Sequence, residues 1–247
     1  MEEMILGKEK MSALNVPGED AMLRQVGFTA KLRLLRLNFK TQKVLNLLAD
    51  VQGYQIFAAT VFQGDPHPGN ILKLEEGRLG LIDYGQTKSI SDKEKLAIAR
   101  VVCAIGSGAS ASEIAAAMRD LGFRTKYDDD DILSKYAVLF FDSDIEGMKM
   151  GCPTPQSYFK ALTDADPLVH VPDVAGKESE VDSYISFGLK TAKIFSCMAM
   201  QVFVARCSFI LRGMGTMLGK QVHTSLRWKA YAEDALQSAK TAKRLGT

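Results

Sequence analysis

Apolar residues are spaced as in helices along nearly the whole of this 247-residue sequence. They recur three and four positions apart over 98–105, 114–121 and 133–140, which is typical of helices with one buried face. A strand pattern occurs only at 71–82, where two short apolar runs flank Glu-Glu-Gly-Arg and Gly77 can adopt a positive φ. The sequence therefore predicts a mainly α fold with one small β-hairpin.

Further helices are predicted on both sides of this hairpin. Before it, helices over 23–48 and 47–61 follow one another directly. After it, a long apolar helix is predicted over 182–211, and an amphipathic segment follows around Trp228. A hairpin of this size is marginal by itself, so its expected use is to hold the residues at its two ends in a fixed relation.

Several helix ends are also marked by the sequence. Ser91 and Glu94 form a capping box, and Gly122 can end a helix in the left-handed conformation. The four aspartates of 128–131 are predicted to start a helix, where the helix dipole favours negative charge.

Charge and cysteine content limit the possible classes of function. The chain has 31 Lys and Arg against 29 Asp and Glu, so its net charge of +2 does not indicate a nucleic-acid partner. Cys103, Cys197 and Cys207 lie in apolar runs, and we expect buried free thiols in a reducing compartment. The chain begins with acidic residues and no apolar run, so no targeting segment is visible and secretion is not expected.

The helix predicted over 23–48 has one basic face. This face carries no acid and consists of Lys31, Arg33, Arg36, Lys40 and Lys43. A basic amphipathic helix can lie on an anionic membrane or on an anionic partner. The alternative is the solvated face of a packed helix.

A rigid polar loop, Gly-Asp-Pro-His-Pro-Gly-Asn at 64–70, precedes the hairpin, and Asp83-Tyr84-Gly85 follows it. By itself, Asp65 is typical of a capping residue, and Asp-Tyr-Gly is typical of a simple turn. The combined order is D-x4-N, hairpin, D-aromatic-G, which is the order of the catalytic loop and metal-binding turn of protein kinases. The combination favours a phosphoryl-transfer site.

The residue types suit that chemistry. Phosphoryl transfer depends mostly on positioning and on charge neutralisation. Asp65 is predicted to be the catalytic carboxylate that accepts or orients the proton of the nucleophile. Asn70 and Asp83 are predicted to hold Mg²⁺, and together with Gly85 to bind the ATP cofactor. His67 is expected to shape the loop, because a lone histidine between prolines is a poor metal ligand set.

These motifs resemble the UbiB/ADCK (aarF-domain) family of atypical kinase-like proteins. The resemblance is specific over 53–88 and continues more weakly through Leu-Arg-Gly-Met-Gly-Thr-Met-Leu-Gly and the segment around Trp228. It implies a kinase-like C-lobe in which Asp65 matches the catalytic-loop aspartate. It also implies that Asn70 and Asp83 match the metal-binding residues, with Tyr84 where the family usually has phenylalanine.

The resemblance further implies a domain organisation. Members of the family carry an N-terminal lobe with a small-residue nucleotide loop, a strand lysine paired to a helix glutamate, and a K-x-G-Q element. No such element is found upstream of residue 53, so the N-lobe is expected to be missing. The expected organisation is a flexible arm at 1–22, the C-lobe at 23–235 and a tail at 236–247.

The function implied by the resemblance is Mg-ATP-dependent phosphoryl transfer or ATP hydrolysis linked to isoprenoid quinone or lipid metabolism. The expected partners are ATP, isoprenoid lipid or quinone-biosynthesis proteins, with peripheral membrane contact in a mitochondrion or plastid and no nucleic acid. Two alternatives remain open at this point. The chain could be an inactive pseudokinase lobe that binds nucleotide, lipid or protein, or a helical protein with an incidental motif.

Overall fold

The computed structural model describes residues 28–59, 61–74, 78–142, 155–170 and 200–245. The residues up to Lys43 and those from Val44 onward form two units. In the first unit, Lys40 and Lys43 are exposed, and the other side chains of the predicted basic face lie outside the described residues. The predicted arm at 1–22 and most of the long helix predicted over 182–211 also lie outside them.

A single helix precedes the polar loop, so the prediction of two helices meeting near residue 47 was wrong. Helix α1 spans Phe28–Tyr54 and continues into one π-helical turn at Gln55–Ala59. The reason is that no proline or glycine lies between residue 28 and Gly53 to end the helix. Gly53 itself allows close packing, because a Cβ there would lie 2.8 Å from Trp228 Cδ1.

Short strands surround the polar loop. Strand β1 (Val61–Gln63) enters the loop, β2 (Ile71–Lys73) and β3 (Leu79–Leu81) form the hairpin, and β4 (Thr87–Ser89) follows the turn. The predicted hairpin is confirmed, with β2 antiparallel to β3 and Leu72 opposite Gly80.

Two further strand pairs correct the prediction of a lone hairpin. Strand β1 pairs antiparallel with β4, and β5 (Arg124–Thr125) pairs with β6 (Leu168–His170). These strands have two or three residues, too few for the alternation by which strands are recognised in a sequence. The pairing of β1 with β4 matters for function, because it closes the segment that contains the polar loop, hairpin and turn.

Helices make up the remainder of the described chain. They are α2 (Asp92–Gly106), α3 (Ala111–Leu121), α4 (Asp130–Phe141), α5 (Pro155–Ala165), α6 (Met200–Met217) and α7 (Thr224–Leu245). The fold in the described residues is therefore mostly helical, which is compatible with a kinase-like C-lobe.

The predicted helix ends are confirmed. Ser91 caps α2 through a capping box with Glu94, and Gly122 ends α3 in the left-handed conformation with φ 104°. Asp129 caps α4, and Asp130 and Asp131 lie in its first turn. Asp128 and Asp130 each form an ion pair with Arg119, which lowers the pKa of Asp130 below its ordinary value, chiefly through the hydrogen bond from Arg119.

Helix α7 packs along α2 and onto the end of α1. Trp228 is fully buried, and its Nε1 donates a hydrogen bond of 2.9 Å to the carbonyl oxygen of Ala49. At the C-terminal end of α2, a Cβ on Gly106 would lie only 3.2 Å from the carbonyl oxygen of Ser225, so α2 and α7 approach closely there. These contacts fix the C-terminal part of α1, which precedes the polar loop.

Among the helices in the described part of the chain, none has the length and hydropathy needed to cross a bilayer.

A buried carboxylate, Asp166, joins the segment after α5 to the loop before α4. Its Oδ1 accepts a hydrogen bond of 2.8 Å from the backbone N–H of Tyr127, and its Oδ2 accepts one of 3.1 Å from that of Asp129. Asp166→Asn removes one acceptor and the charge, so we expect the free energy of unfolding to fall by about 1–3 kcal/mol. Urea denaturation measures this loss.

The matched control for Asp166 is Asp164→Asn. Asp164 is exposed and pairs with Lys160 within α5, at 2.6 Å. Such surface ion pairs contribute less than about 1 kcal/mol. Equal effects of the two substitutions would contradict the role of Asp166.

Candidate active site

The polar loop begins at a glycine that the backbone requires. The N–H of Gly64 donates a hydrogen bond of 2.9 Å to the carbonyl oxygen of Gln86, just before β4. A Cβ at position 64 would lie 2.9 Å from that same oxygen, so a larger residue would force the two segments apart. The start of the loop is thereby tied directly to the residues that follow the hairpin.

His67 shapes the middle of the loop, as the sequence predicted. Its Nδ1 accepts a hydrogen bond of 3.1 Å from the N–H of Gly69, and it caps the short 3₁₀ helix Pro68–Asn70. The N–H of Asn70 donates to the carbonyl oxygen of His67 at 2.8 Å. The loop therefore has a fixed turn that presents Asn70 at its end.

Hydrogen bonds link Asn70 directly to the backbone of Asp65 and to that of Ile82, the residue before Asp83. Asn70 Nδ2 donates to the backbone oxygen of Asp65 at 3.3 Å. The backbone oxygen of Asn70 accepts from the N–H of Ile82 at 2.9 Å, and Asp83 is the next residue. Because the nitrogen of the Asn70 amide is used in this way, its Oδ1 remains as the acceptor that could face a cation.

Asp83 has a backbone conformation that is uncommon for residues other than glycine, with φ 60°. Its Oδ1 accepts a hydrogen bond of 3.1 Å from the N–H of Gly85, which closes a tight turn, and its side chain is exposed. The structure thus gives Gly85 a role in forming the turn. Its predicted contact with nucleotide remains a prediction.

Gln63 fixes the Asp83 turn from the interior and was missed by sequence reasoning. Its Nε2 donates to the backbone oxygen of Asp83 at 2.9 Å and to that of Ile82 at 3.2 Å. The Gln63 side chain is buried, and its backbone oxygen accepts a hydrogen bond of 3.1 Å from Gln52 Nε2 in α1. One residue therefore links α1, β1 and the turn.

Three side chains of helix α6, all within the five positions 203–207, contact the loop or the strands next to it. Phe203 lies under Lys88, with Nζ 4.6 Å from the ring centroid, and Cys207 Sγ donates to the backbone oxygen of Gln63 at 3.5 Å. Between them, Arg206 Nη2 lies 3.1 Å from Asp65 Oδ1. The sequence showed Arg206 only as a charge that interrupts an apolar run.

The two cysteines in the described residues are free, as predicted, but only Cys207 is buried, whereas Cys103 is half-buried. Burial raises the pKa of the Cys207 thiol, so it stays protonated and can donate its hydrogen bond to Gln63. Burial also raises the pKa of Cys103 to about 11, with Glu233 as a smaller cause. Cys152 and Cys197 lie outside the described residues.

The predicted metal ligands Asn70 and Asp83 would supply only part of a ligand set, which phosphate and water would complete. Within the described residues, no three His, Cys, Asp or Glu side chains cluster as a metal site. Asn70 and Asp83 offer one amide oxygen and one carboxylate, which is the small protein share typical of Mg²⁺ bound to nucleotide phosphates. This donor set would suit Mg²⁺ that is bound together with nucleotide phosphates.

A groove of about 790 Å³ lies elsewhere, between α2, α7 and the π-helical turn. It is lined by apolar residues such as Leu96 and Tyr231, with Lys240 and Lys243 at its edge. None of the three predicted site residues lines it, so this groove is not the candidate active site.

The loop, hairpin and turn follow one another in the order of the catalytic loop and metal-binding turn of protein kinases. Comparison with known proteins gives a family match over part of the chain. Residues 26–115 match the ABC1 atypical kinase-like domain. Residues 26–115 are thus similar to an ABC1 atypical kinase-like domain, which confirms the resemblance indicated by the motifs of 53–88.

Two curated relatives match the chain over short segments. Protein ACTIVITY OF BC1 COMPLEX KINASE 1, chloroplastic, of Arabidopsis thaliana is 36% identical over 73 residues, which are 29% of this chain and 10% of that protein. Uncharacterized protein slr0889 of Synechocystis sp. is 33% identical over 66 residues, which are 27% of this chain and 16% of that protein. The matches thus span less than a fifth of either relative. No solved structure matches the chain.

Proposed function

We propose that this protein carries out Mg²⁺- and ATP-dependent phosphoryl transfer or ATP hydrolysis, with Asp65 as the catalytic carboxylate. The observation that carries the proposal is the hydrogen-bonded unit in which Asn70 contacts the backbone of both Asp65 and Ile82. This unit supports the proposal because it holds the backbone of Asp65 and that of Ile82, the residue before Asp83, close to Asn70. Bound Mg²⁺ would supply charge neutralisation on the phosphates.

Each residue has a separate task in this proposal. Asp65 accepts or orients the proton of the acceptor hydroxyl or water. Asn70 Oδ1 and the Asp83 carboxylate hold the cation, and Gly85 maintains the turn on which Asp83 lies. Gln63 holds the Asp83 turn through its hydrogen bonds, and α6 contacts Asp65 through Arg206.

The proposed setting is isoprenoid quinone or lipid metabolism, at a membrane surface. The support is the resemblance of the motifs and the name of the Arabidopsis relative, which describes that protein as a chloroplastic kinase. We therefore propose a plastid location before a mitochondrial one. The exposed Lys40 and Lys43 on α1 are consistent with peripheral contact to an anionic membrane.

The test is thermal stabilisation of the full chain by ADP with and without Mg²⁺. A ligand at 100 times its Kd stabilises the folded state by about 2.7 kcal/mol, which is a shift of roughly 5–11 °C in Tm for a domain of this size. We expect this shift with Mg²⁺ and ADP together, and its loss in Asp83→Asn. Asparagine tolerates the left-handed conformation, so the variant removes the charge and keeps the turn.

The matched control is Asp164→Asn, which removes an exposed carboxylate of α5. It should retain the full Mg²⁺-dependent shift. A shift that persists in Asp83→Asn, or that needs no Mg²⁺, would contradict the assigned metal ligand.

A further inference from the structure

The apolar helix α6 carries a charged residue, Arg206, on the face that contacts the polar loop. Arg206 Nη2 lies 3.1 Å from Asp65 Oδ1, and the two side chains are only 28% and 27% exposed. In water such a pair contributes little, but partial burial reduces solvent screening and strengthens it. The contact therefore constrains the very carboxylate that the proposed function uses.

The neighbours of Arg206 hold it in place along the helix. Phe203, one turn earlier, is covered by Lys88, and Cys207, the next residue, donates to the backbone of Gln63. Both contacts are to residues directly next to the loop or in its paired strand. The guanidinium is therefore presented to the loop by a helix that is itself fixed there.

The loop holds only the backbone of Asp65. Its carbonyl oxygen accepts from the N–H of His67 at 2.7 Å and from Asn70 Nδ2 at 3.3 Å. The terminal torsion of an aspartate is broad, so these backbone contacts leave the carboxylate free to rotate. Within the described residues, the contact that fixes this rotation is the one between Oδ1 and Arg206.

We propose that Arg206 is the positioning residue for Asp65. By holding Oδ1, it directs Oδ2 towards the proton that Asp65 is to accept. The proposal rests on the proposed function, since it assigns an orientation to the catalytic carboxylate. Arg206 acts through Asp65 and has no assigned contact with the reacting atoms.

Kinetics of the full chain with Mg-ATP test this role. Misplacement of a catalytic group by about 1 Å can cost up to ~100-fold in rate, so we expect Arg206→Gln to lower kcat by roughly 10- to 100-fold. The KM for ATP should stay within about twofold, because the metal ligands are untouched. Arg206→Lys keeps the charge and should restore part of the rate.

Two comparisons separate positioning from a general loss of structure. In an Asp65→Asn background, Arg206→Gln should cause no further loss of kcat, because the carboxylate it orients is gone. The matched control is Arg119→Gln, which breaks ion pairs with Asp128 and Asp130 away from the loop. This control should leave kcat unchanged, and an equal fall in both arginine variants would overturn the proposal.

A thermal double-mutant cycle on Arg206 and Asp65 gives a readout that needs no activity. We expect the loss of Tm in the double variant to be smaller than the sum of the single losses, because both singles break the same contact. If the wild type transfers phosphate and Arg206→Gln does so equally well, only the positioning role fails. If the wild type shows no turnover, the proposed function fails and the positioning role with it. Additive losses of Tm would show that the ion pair itself is absent.

Discussion

Asp65→Asn is expected to lower the rate of phosphoryl transfer or ATP hydrolysis by about 10²- to 10⁴-fold, the usual contribution of a positioned proton acceptor. Asparagine has nearly the same shape, and the backbone oxygen of Asp65 keeps its hydrogen bonds to His67 and Asn70. The loop should therefore stay intact while the carboxylate is lost. Steady-state turnover of Mg-ATP by the full chain measures the effect.

Nucleotide binding provides the second half of this prediction. Because Asn70 and Asp83 are the proposed metal ligands, the Mg²⁺-dependent shift in Tm with ADP should be unchanged in Asp65→Asn. Equal loss of turnover and binding would contradict the division of roles. Tight Mg²⁺-dependent binding without any turnover by the wild type would instead favour a pseudokinase lobe that acts as a binding module.

Gln63→Leu is expected to weaken Mg²⁺ binding by about 10- to 100-fold, although Gln63 is not a metal ligand. Residues that orient a ligand typically have effects of this size. The substitution removes both hydrogen bonds to the backbone oxygens of Ile82 and Asp83, so the uncommon backbone conformation of Asp83 loses its support. Titration of Mg²⁺ at saturating ADP gives the apparent Kd.

Stability should fall in the same variant by about 1–3 kcal/mol, because buried backbone oxygens lose their donors. Part of this loss is offset, since Gln63 Oε1 is buried without a hydrogen-bond partner in the described residues and leucine removes it. Gln237→Leu is the matched control, because Gln237 is exposed on α7. Destabilisation with an unchanged Kd for Mg²⁺ would reduce Gln63 to a purely structural role.

The residues of the candidate site differ in how far the sequence could predict them. The proximity of Asp65, Asn70 and Asp83 was predictable because the three residues lie on one short segment closed by the hairpin, while their roles in catalysis and metal binding remain predictions. The role of His67 was also predictable, because its contact is to Gly69 only two residues away. The arrangement of these four residues follows from contacts within one short segment of the sequence.

The residues that support the site depend on contacts between distant segments. In the sequence, Gln63 is only one more polar residue before the loop. Its burial depends on the pairing of β1 with β4 and on the hydrogen bond from Gln52 of α1, which are contacts between distant segments. Arg206 lies in a helix far along the chain, and its partner is set by packing. The sequence shows only that a charged residue interrupts an apolar run, and this does not identify the residue with which it forms an ion pair.

The fold shows the same division. Helix ends such as Ser91 and Gly122 were predicted from local capping chemistry and are confirmed. The single helix through residue 47 was missed because two overlapping apolar patterns were assigned to two helices. No proline or glycine lies between residue 28 and Gly53 to end the helix there.

The left-handed backbone of Asp83 affects how this site can change during evolution. Asparagine and glycine are the residues that accept φ 60° with least strain, and both lack the carboxylate. A mutation to asparagine would remove the negative charge of the proposed metal ligand and keep an oxygen that can accept from the N–H of Gly85, whereas glycine would lose both. Loss of catalysis is thus separable from loss of shape at this position, and a descendant could keep the whole architecture while becoming inert. Under the proposed function, the amino acid at 83, rather than the outline of the fold, is therefore the position that would distinguish active from inactive relatives.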